Sequence, residues 1–366
     1  MKILILNWKD IKNPKSGGAE VLTHELAKRL VKKGNEVTMF VSFFRGAKDQ
    51  EIIDGVNIIR EGELDLRALT NSVYFKAYLY YKKHFKNKID IIIDEAHGTP
   101  FFAKFYAREK VVALICEVAD DIWFRMFSFP WNSLGWLLER IYLFFYRGIT
   151  ILTISPSTKK ELIKTGINSK NISVIPMGIN TVKMDKFQKE KKSTIIFVGR
   201  LNKMKGVEDC IRAFAEAKKK DKNLQLWIVG KGEEDFEKEL KRLSKKLGVT
   251  PVFWGFISEH KKFELMARAH AIIVPSMREG FGLIVPEAGS VGTPAIVYDV
   301  QGLCDTVENN VNGIKVHKSF FALAGGIDKL FADRKMYKQM CIKAKEYSLS
   351  YNWDNTVDIT LKELKK

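Results

Sequence analysis

Short apolar runs alternate with longer amphipathic stretches through most of this chain. In its first half strands are read at Ile3–Trp8, Glu36–Val41, Ile89–Asp94, Val111–Cys116 and Ile149–Ile154. In its second half they are read at Thr194–Val198, in LQLWIVGKG, in PVFWG, at Ala271–Val274 and at Pro294–Tyr298. Helices fall between them: Ala19–Lys33 stopped by Gly34, one capped by Ser155 or Ser157 with Glu161 in its first turns, Glu233–Leu247 with a solvated Lys/Glu face, and a last one around Trp353. A β-loop-α-β order of this kind belongs to a doubly wound parallel sheet, and it occurs twice. The fold class is therefore α/β, with two Rossmann-like domains at 1–180 and 181–344, and the charged segment 181–192 reads as their linker.

In such sheets ligands bind beyond the carboxyl ends of the strands, so the chemistry is sought there. The first strand leads to Ser16, Gly17 and Gly18, the third to Asp94, Glu95 and His97, and the fourth to Cys116, Glu117 and Asp120. A Gly-Gly pair commonly does no more than ease a turn, and a lone histidine at a strand end commonly packs or caps. In the second half, GRLNKMKG sets Arg200 and Lys205 between Gly199 and Gly206, a cationic loop suited to a diphosphate. Gly230 and Gly232 mark a second place for close backbone approach, and Phe256 and Ile257 either fill core or cover a flat ligand.

The richest stretch is Val274–Pro294. Glu279 precedes Gly280, Phe281, Gly282 and Leu283, and a helix follows with Pro286 in its first turn and Glu287 eight residues beyond Glu279. Glycines admit a ligand close to the backbone, and first-turn N–H groups lack intrahelical partners, so an anion fits there. The two carboxylates are suited to hydroxyl groups instead, which points to a ligand combining phosphate with sugar.

This constellation resembles the Glu-x7-Glu motif of retaining glycosyltransferases with the GT-B fold, in particular glycosyltransferase family 4. The resemblance implies two domains facing across a cleft, with the acceptor on the first and a nucleotide-diphosphate sugar on the second. It implies glycosyl transfer with retention of configuration, without cofactor or metal. Arg200 and Lys205 would hold the leaving diphosphate, Glu279 the sugar hydroxyls and Glu287 the ribose. Gly17 and Gly18, with N–H groups around Phe281 and Gly282, would complete the phosphate cradle, and Phe256 and Ile257 would line the base pocket. The last helix, within 345–366, would return to the first domain. One departure stands out: Cys116 occupies the position of a sugar-contacting histidine, leaving Glu117, Asp120 and His97 as candidates for its part, while Cys116 itself reads as a buried strand residue. Asn180 stands where most members have Asp. The intact Arg200, Lys205, Glu279 and Glu287 weigh against two alternatives, a non-catalytic sugar-nucleotide-binding protein and a sugar-nucleotide epimerase.

Composition narrows the partners. The 366 residues are 46% hydrophobic and 28% charged, which is a folded protein, and a formal charge of +18 calls for an anionic partner. No helix-turn-helix, RNP or zinc-finger pattern is present, so nucleic acid ranks below phosphorylated substrates and an anionic membrane surface. Four scattered cysteines and the absence of a signal peptide or membrane-length apolar run suit the cytoplasm. Ile122–Gly148 carries ten aromatics in 27 residues. It reads as helical core, as a surface that dips into lipid headgroups, or as both on different faces, and the surface reading would add peripheral attachment to the inner face of the membrane.

Overall fold

The computed structural model describes residues 1–65, 70–97, 99–120, 122–182 and 187–366. The chain forms two compact units, Met1–Gly178 with Trp353–Lys366, and Ile179–Asn352. Residues 345–352, expected with the first domain, thus belong to the second unit.

The first unit holds β1 (Lys2–Leu6), β2 (Glu36–Val41), β3 (Gln50–Ile53), β4 (Val56–Arg60), β5 (Ile91–Ala96), β6 (Lys110–Ile115), β7 (Thr150–Thr153) and β8 (Ile172–Val174). Their order is β3-β4-β2-β1-β5-β6-β7-β8, parallel except for the antiparallel β3–β4 pair. The chain begins in the middle, builds towards one edge and then returns, so the order reverses between β1 and β5. Leu4, Leu6 and Ile92 pack on one face of this sheet in a core with Phe40 and Tyr81. Ala113, Ile115 and Ile151 carry that same face on into a second core with Tyr142 and Tyr146, and Ile3, Ile5 and Ile93 are buried on the opposite face. Burial on both faces explains why these strands read as continuous apolar runs. Helix Trp353–Lys365 lies on helix Gly18–Lys32, where Arg29 sits 5.6 Å over the buried Trp353 ring and Lys33 meets Asp358 at 2.8 Å.

The second unit holds β9 (Thr194–Val198), β10 (Gln225–Val229), β11 (Val252–Gly255), β12 (Ala271–Val274), β13 (Ala295–Tyr298) and β14 (Gly313–Val316). All run parallel in the order β11-β10-β9-β12-β13-β14, and the reversal falls between β9 and β12. Ile195 and Phe197 point into one core, Ile196 into the other. Both units are Rossmann-like.

Two further expectations change. Residues 183–186 of the linker lie outside the described residues, but the rest is not a free tether. Lys189 donates to the Ala269 carbonyl at 2.6 Å, and Glu190 pairs with Arg268 at 2.6 Å, so this end is bound to the second unit. Burial pulls the Lys189 ammonium down to about 8. Asp94, read as facing the ligand side beside Glu95, is fully buried on the other side of β5, because successive side chains alternate across a strand. Its carboxylate accepts from the Phe101 and Ala103 N–H groups at 2.8 and 2.9 Å and from the Tyr146 hydroxyl at 2.6 Å, which tie down the loop after β5. Burial nevertheless pushes this carboxyl above its usual range.

The aromatic segment is both core and surface. Tyr142, Leu143 and Tyr146 are buried, while helix Trp131–Phe145 presents Leu134, Leu137, Leu138, Ile141 and Phe144 to the outside, at helical spacing. Among the described residues no helix is long and apolar enough to cross a membrane.

Removing the Asp94 acceptor strands three buried donors. Asp94→Ala is expected to lower unfolding free energy by roughly 3 kcal/mol, with Asp94→Asn losing less. Urea denaturation checks this, and equal stability of all three proteins would show that Asp94 does not anchor the loop.

Candidate functional site

In each unit the reversal of strand order separates the crossovers on either side and leaves a crevice at the carboxyl edge. In the second unit the loops following β9 and β12 meet there. Asn202 caps a short turn by accepting the Lys205 N–H at 3.0 Å, and Gly206 ends it at φ +69°. A side chain at Gly206 would meet the Pro275 carbonyl at 2.1 Å, so glycine lets the two loops touch. Met277 donates its N–H to Met204 at 2.8 Å, fixing the register of that contact. On this frame Lys205 Nζ reaches Glu279 Oε1 at 2.5 Å. The pair joins the two residues on which the sequence argument leaned most. Arg200 stands exposed at the start of the same loop as Lys205.

The remaining residues divide by what their atoms touch. Glu287 lies in helix Ile284–Ser290 and pairs with Lys262 Nζ at 2.9 Å. Burial raises its carboxyl above the usual range against the pull of Lys262. For Lys262 burial acts downward, but Glu287 and Glu259 outweigh it and hold the ammonium firmly protonated. Lys262 went unnoticed in the sequence because SEHKK looks like any solvated helix start. The helix has only seven residues, and in its first turn the Glu287 N–H already donates to the Leu283 carbonyl while Pro286 has no N–H, so its start offers an anion few free donors. Phe281 points its ring into the protein, edge-on to Tyr351 at 5.4 Å, which leaves only its backbone for a ligand. Gly280, Gly282 and Leu283 complete that turn, with Gly282 accepting from the Val285 N–H at 2.9 Å.

Gly230 sits at the end of β10 with φ +137°, and a Cβ there would fall 1.8 Å from the Gly199 carbonyl. The close approach made by this glycine is to Gly199, not to an open ligand space. Phe256 is 85% exposed and is no part of the core, whereas Ile257 packs against the second unit's apolar cluster.

In the first unit the reversal brings together the ends of β1 and β5. Gly17 is extended at φ −149° and needs no glycine for that; its N–H is already taken by the Glu20 carboxylate at 2.6 Å. Glu20 also lies 3.1 Å from Lys9 Nζ, which sits 4.1 Å over the Trp8 ring and donates to the Lys15 carbonyl at 3.0 Å. Gly18 opens the helix. His97 is stacked on Trp8, rings 4.7 Å apart and 13° from parallel, and bonds Glu95 at 2.7 Å. Cys116 is buried, and burial, reinforced by the nearby Glu95, Glu117 and Glu20 carboxylates, pushes its thiol far up. Glu117 is half-buried beside it. Asp120 is engaged by Arg140 at 2.6 Å and Trp136 at 3.1 Å. Trp8, Lys9 and Glu20 were not foreseen; the one available signal was their place just after the first strand and at the start of the first helix. Among the described residues no group of three or more His, Cys, Asp or Glu side chains is placed to hold a metal ion.

Residues 180–347 match the family described as glycosyl transferases group 1, and residues 16–183 match glycosyltransferase family 4. The chain belongs to the GT-B glycosyltransferases. An uncharacterized glycosyltransferase of Methanocaldococcus jannaschii is 27% identical to this glycosyltransferase over 392 aligned residues, covering 99% of this chain and 97% of its own. Among solved structures, sucrose-phosphate synthase from Thermosynechococcus elongatus superposes with a TM-score of 0.80 at 20% identity, covering 100% of this chain and 98% of the synthase. The Anabaena protein HepE, in complex with UDP and glucose, gives 0.75 at 19% identity, with 100% and 99% covered. These likenesses establish the two-domain fold, and membership of a transferase family sets aside the epimerase and the non-catalytic binder.

Among the described residues, Lys262 is the one cation paired with the buried Glu287 carboxylate. Replacing it (Lys262→Met) is expected to destabilise the glycosyltransferase by about 1–3 kcal/mol, with Lys262→Met/Glu287→Leu recovering most of that loss. Chemical denaturation of the single and double variants decides it, and purely additive losses would refute a coupled pair.

Proposed function

We propose that this glycosyltransferase moves a sugar from a nucleoside-diphosphate donor to an acceptor hydroxyl with retention of configuration. The observation that carries the reading is the contact of Lys205 with Glu279 across the crevice of the second unit. A partly exposed ion pair adds only about 0–1 kcal/mol to folding, so stability gives little reason to place one at that point. A diphosphate arriving there offers Lys205 and Arg200 a doubly charged partner in exchange for one carboxylate. Glu279, released, turns to hydroxyl donors of the sugar. The same two cations then offset the charge that grows on the leaving diphosphate, so no metal is needed for that task. Glu287, held by Lys262, takes the ribose hydroxyls, and the exposed Phe256 ring with Ile257 covers the base. UDP is favoured as the nucleotide because the structurally similar HepE carries UDP and glucose. Retention is supported by the Glu279-x7-Glu287 spacing alone, and no side chain is assigned as nucleophile.

The acceptor is read as lipid-linked at an anionic membrane surface, with the protein on the cytoplasmic side. Phe129 is 81% and Trp131 65% exposed, and the outward apolar stripe of helix Trp131–Phe145 continues from them. Arg147 lies 4.7 Å over the Phe144 ring, at the stripe's far end. Apolar side chains beside cations suit the headgroup boundary, where each basic residue adds about 1 kcal/mol on an anionic leaflet.

Mass spectrometry on the protein with UDP-, GDP- and ADP-sugars, with and without host membrane extract, tests the reaction. Release of one nucleoside diphosphate is expected only with the extract, and Glu279→Ala and Lys205→Ala are each expected to lower it at least about 100-fold. Unchanged rates in these folded variants, or a product of inverted configuration by NMR, would sink the respective role. For the surface, Leu138→Glu with Phe144→Glu is expected to weaken binding to phosphatidylglycerol vesicles at least about tenfold while UDP affinity is kept. Undiminished co-sedimentation would rule out this helix as the membrane face.

A further inference from the structure

The buried carboxylate of Glu95, at the end of β5, has one donor on each oxygen. Oε2 receives the Thr23 hydroxyl at 2.6 Å, and Oε1 lies 2.7 Å from His97 Nε2. The Thr23 hydroxyl has a second acceptor, the Ala19 carbonyl at 3.1 Å, but its one hydrogen goes to the nearer, charged oxygen. An ionised carboxylate can only accept, so Nε2 of His97 carries its hydrogen. The stacked Trp8 ring blocks rotation of the imidazole. Tautomer and plane are both set, and in the neutral ring the lone pair of Nδ1 is left, with no hydrogen bond among the described residues.

Bracing β5 to the first helix does not explain the arrangement, since the Thr23–Glu95 bond already does that without the imidazole. A second observation points to a polar ligand. On the chain leaving β1, Asn7 Nδ2 and Trp8 Nε1 are buried donors without a hydrogen-bond partner among the described residues. Asn7 cannot relieve this by turning its amide, because Oδ1 already accepts the Trp8 N–H at 2.7 Å. Buried donors left this way are uncommon in folded proteins and are satisfied by bound water or ligand.

We propose that Glu95 is a positioning residue, which holds His97 in its Nε2–H form so that Nδ1 accepts a hydrogen bond from a substrate sugar hydroxyl. This rests on the glycosyl-transfer reading above. Among the three side chains that stood open to take the place of a histidine at Cys116, it selects His97, while Asp120 is engaged by Arg140 and Trp136.

The test uses the full chain with ring-15N histidine. Two-bond 1H–15N correlations, with the His97 signal assigned through His97→Gln, are expected to show a protonated Nε2 and a bare Nδ1 in the wild type. Glu95→Leu is expected to lose that preference. In turnover with a donor and membrane extract, Glu95→Leu and His97→Gln are each expected to lower kcat about 10–100-fold, the range found when the partner that orients a metal-bound imidazole is removed. Glu95→Gln, whose amide oxygen still accepts the Nε2–H, is expected to restore part of that loss. UDP affinity is expected to stay within about twofold of wild type, since the donor contacts are made by other residues. The double variant is expected to lose no more than His97→Gln alone, because Glu95 acts only through the imidazole. A ring protonated on Nδ1 in the wild type, wild-type turnover in Glu95→Leu, or additive losses in the double variant would each overturn the proposal. Failure of the proposed function has a different signature, a wild type that releases no nucleoside diphosphate from any donor.

Discussion

The constraint on which both units depend is topological. A parallel sheet that starts in the middle and grows first to one edge and then to the other must send successive crossovers to opposite faces, and the two loops beside the starting strand then part. In the second unit that gap lies between β9 and β12, and the contact of Lys205 with Glu279 spans it. Glycine at 206 and the Met277–Met204 backbone bond make the contact geometric rather than incidental. A lysine and a carboxylate in contact neutralise each other, and under the proposed function they would exchange partners when a ligand offers phosphate to one and hydroxyls to the other.

The first unit shows how strand alternation sorts carboxylates by task. Asp94 and Glu95 are neighbours on β5 and both are buried, yet they face opposite sides of the sheet. Asp94 meets two backbone N–H groups and a tyrosine hydroxyl and is fully spent on holding a loop. Glu95 meets a helix hydroxyl and an imidazole whose other ring nitrogen has no hydrogen bond among the described residues. One residue of register separates an anchor from a group that can act on something outside the fold.

This is also where the sequence was least legible. Continuous apolar strands gave the α/β class and most strand positions, because burial on both faces leaves little freedom of composition. The second-unit site was legible for a related reason: glycines, two cations and two carboxylates fall at strand ends that the pattern locates. What could not be read were pairings across long separations. Lys262 is 25 residues from Glu287, and Thr23 is 72 from Glu95. Nor does a glycine in sequence reveal what approaches it: Gly230 makes room for Gly199, and the Gly17 N–H is occupied by Glu20. The aromatic stretch held two answers at once, since helical spacing puts Tyr142 in the core and Leu138 and Ile141 on the surface of one helix.

Compared as chemical surfaces, the two crevices have opposite character. That of the second unit presents Arg200 and Lys205, with Glu279 as their counterweight. That of the first unit collects Glu20, Glu95 and Glu117 near the buried Cys116, and Lys9, also buried there, has its charge committed to Glu20, to the face of Trp8 and to a backbone carbonyl. A diphosphate would gain cations in the second and meet carboxylates in the first. If His97 acts as proposed, a polyhydroxyl group would find in the first an imidazole whose tautomer is set before it arrives, so its hydrogen bond would cost less ordering when it forms. The same fold, used twice, thus collects charge of opposite sign at its two reversal points.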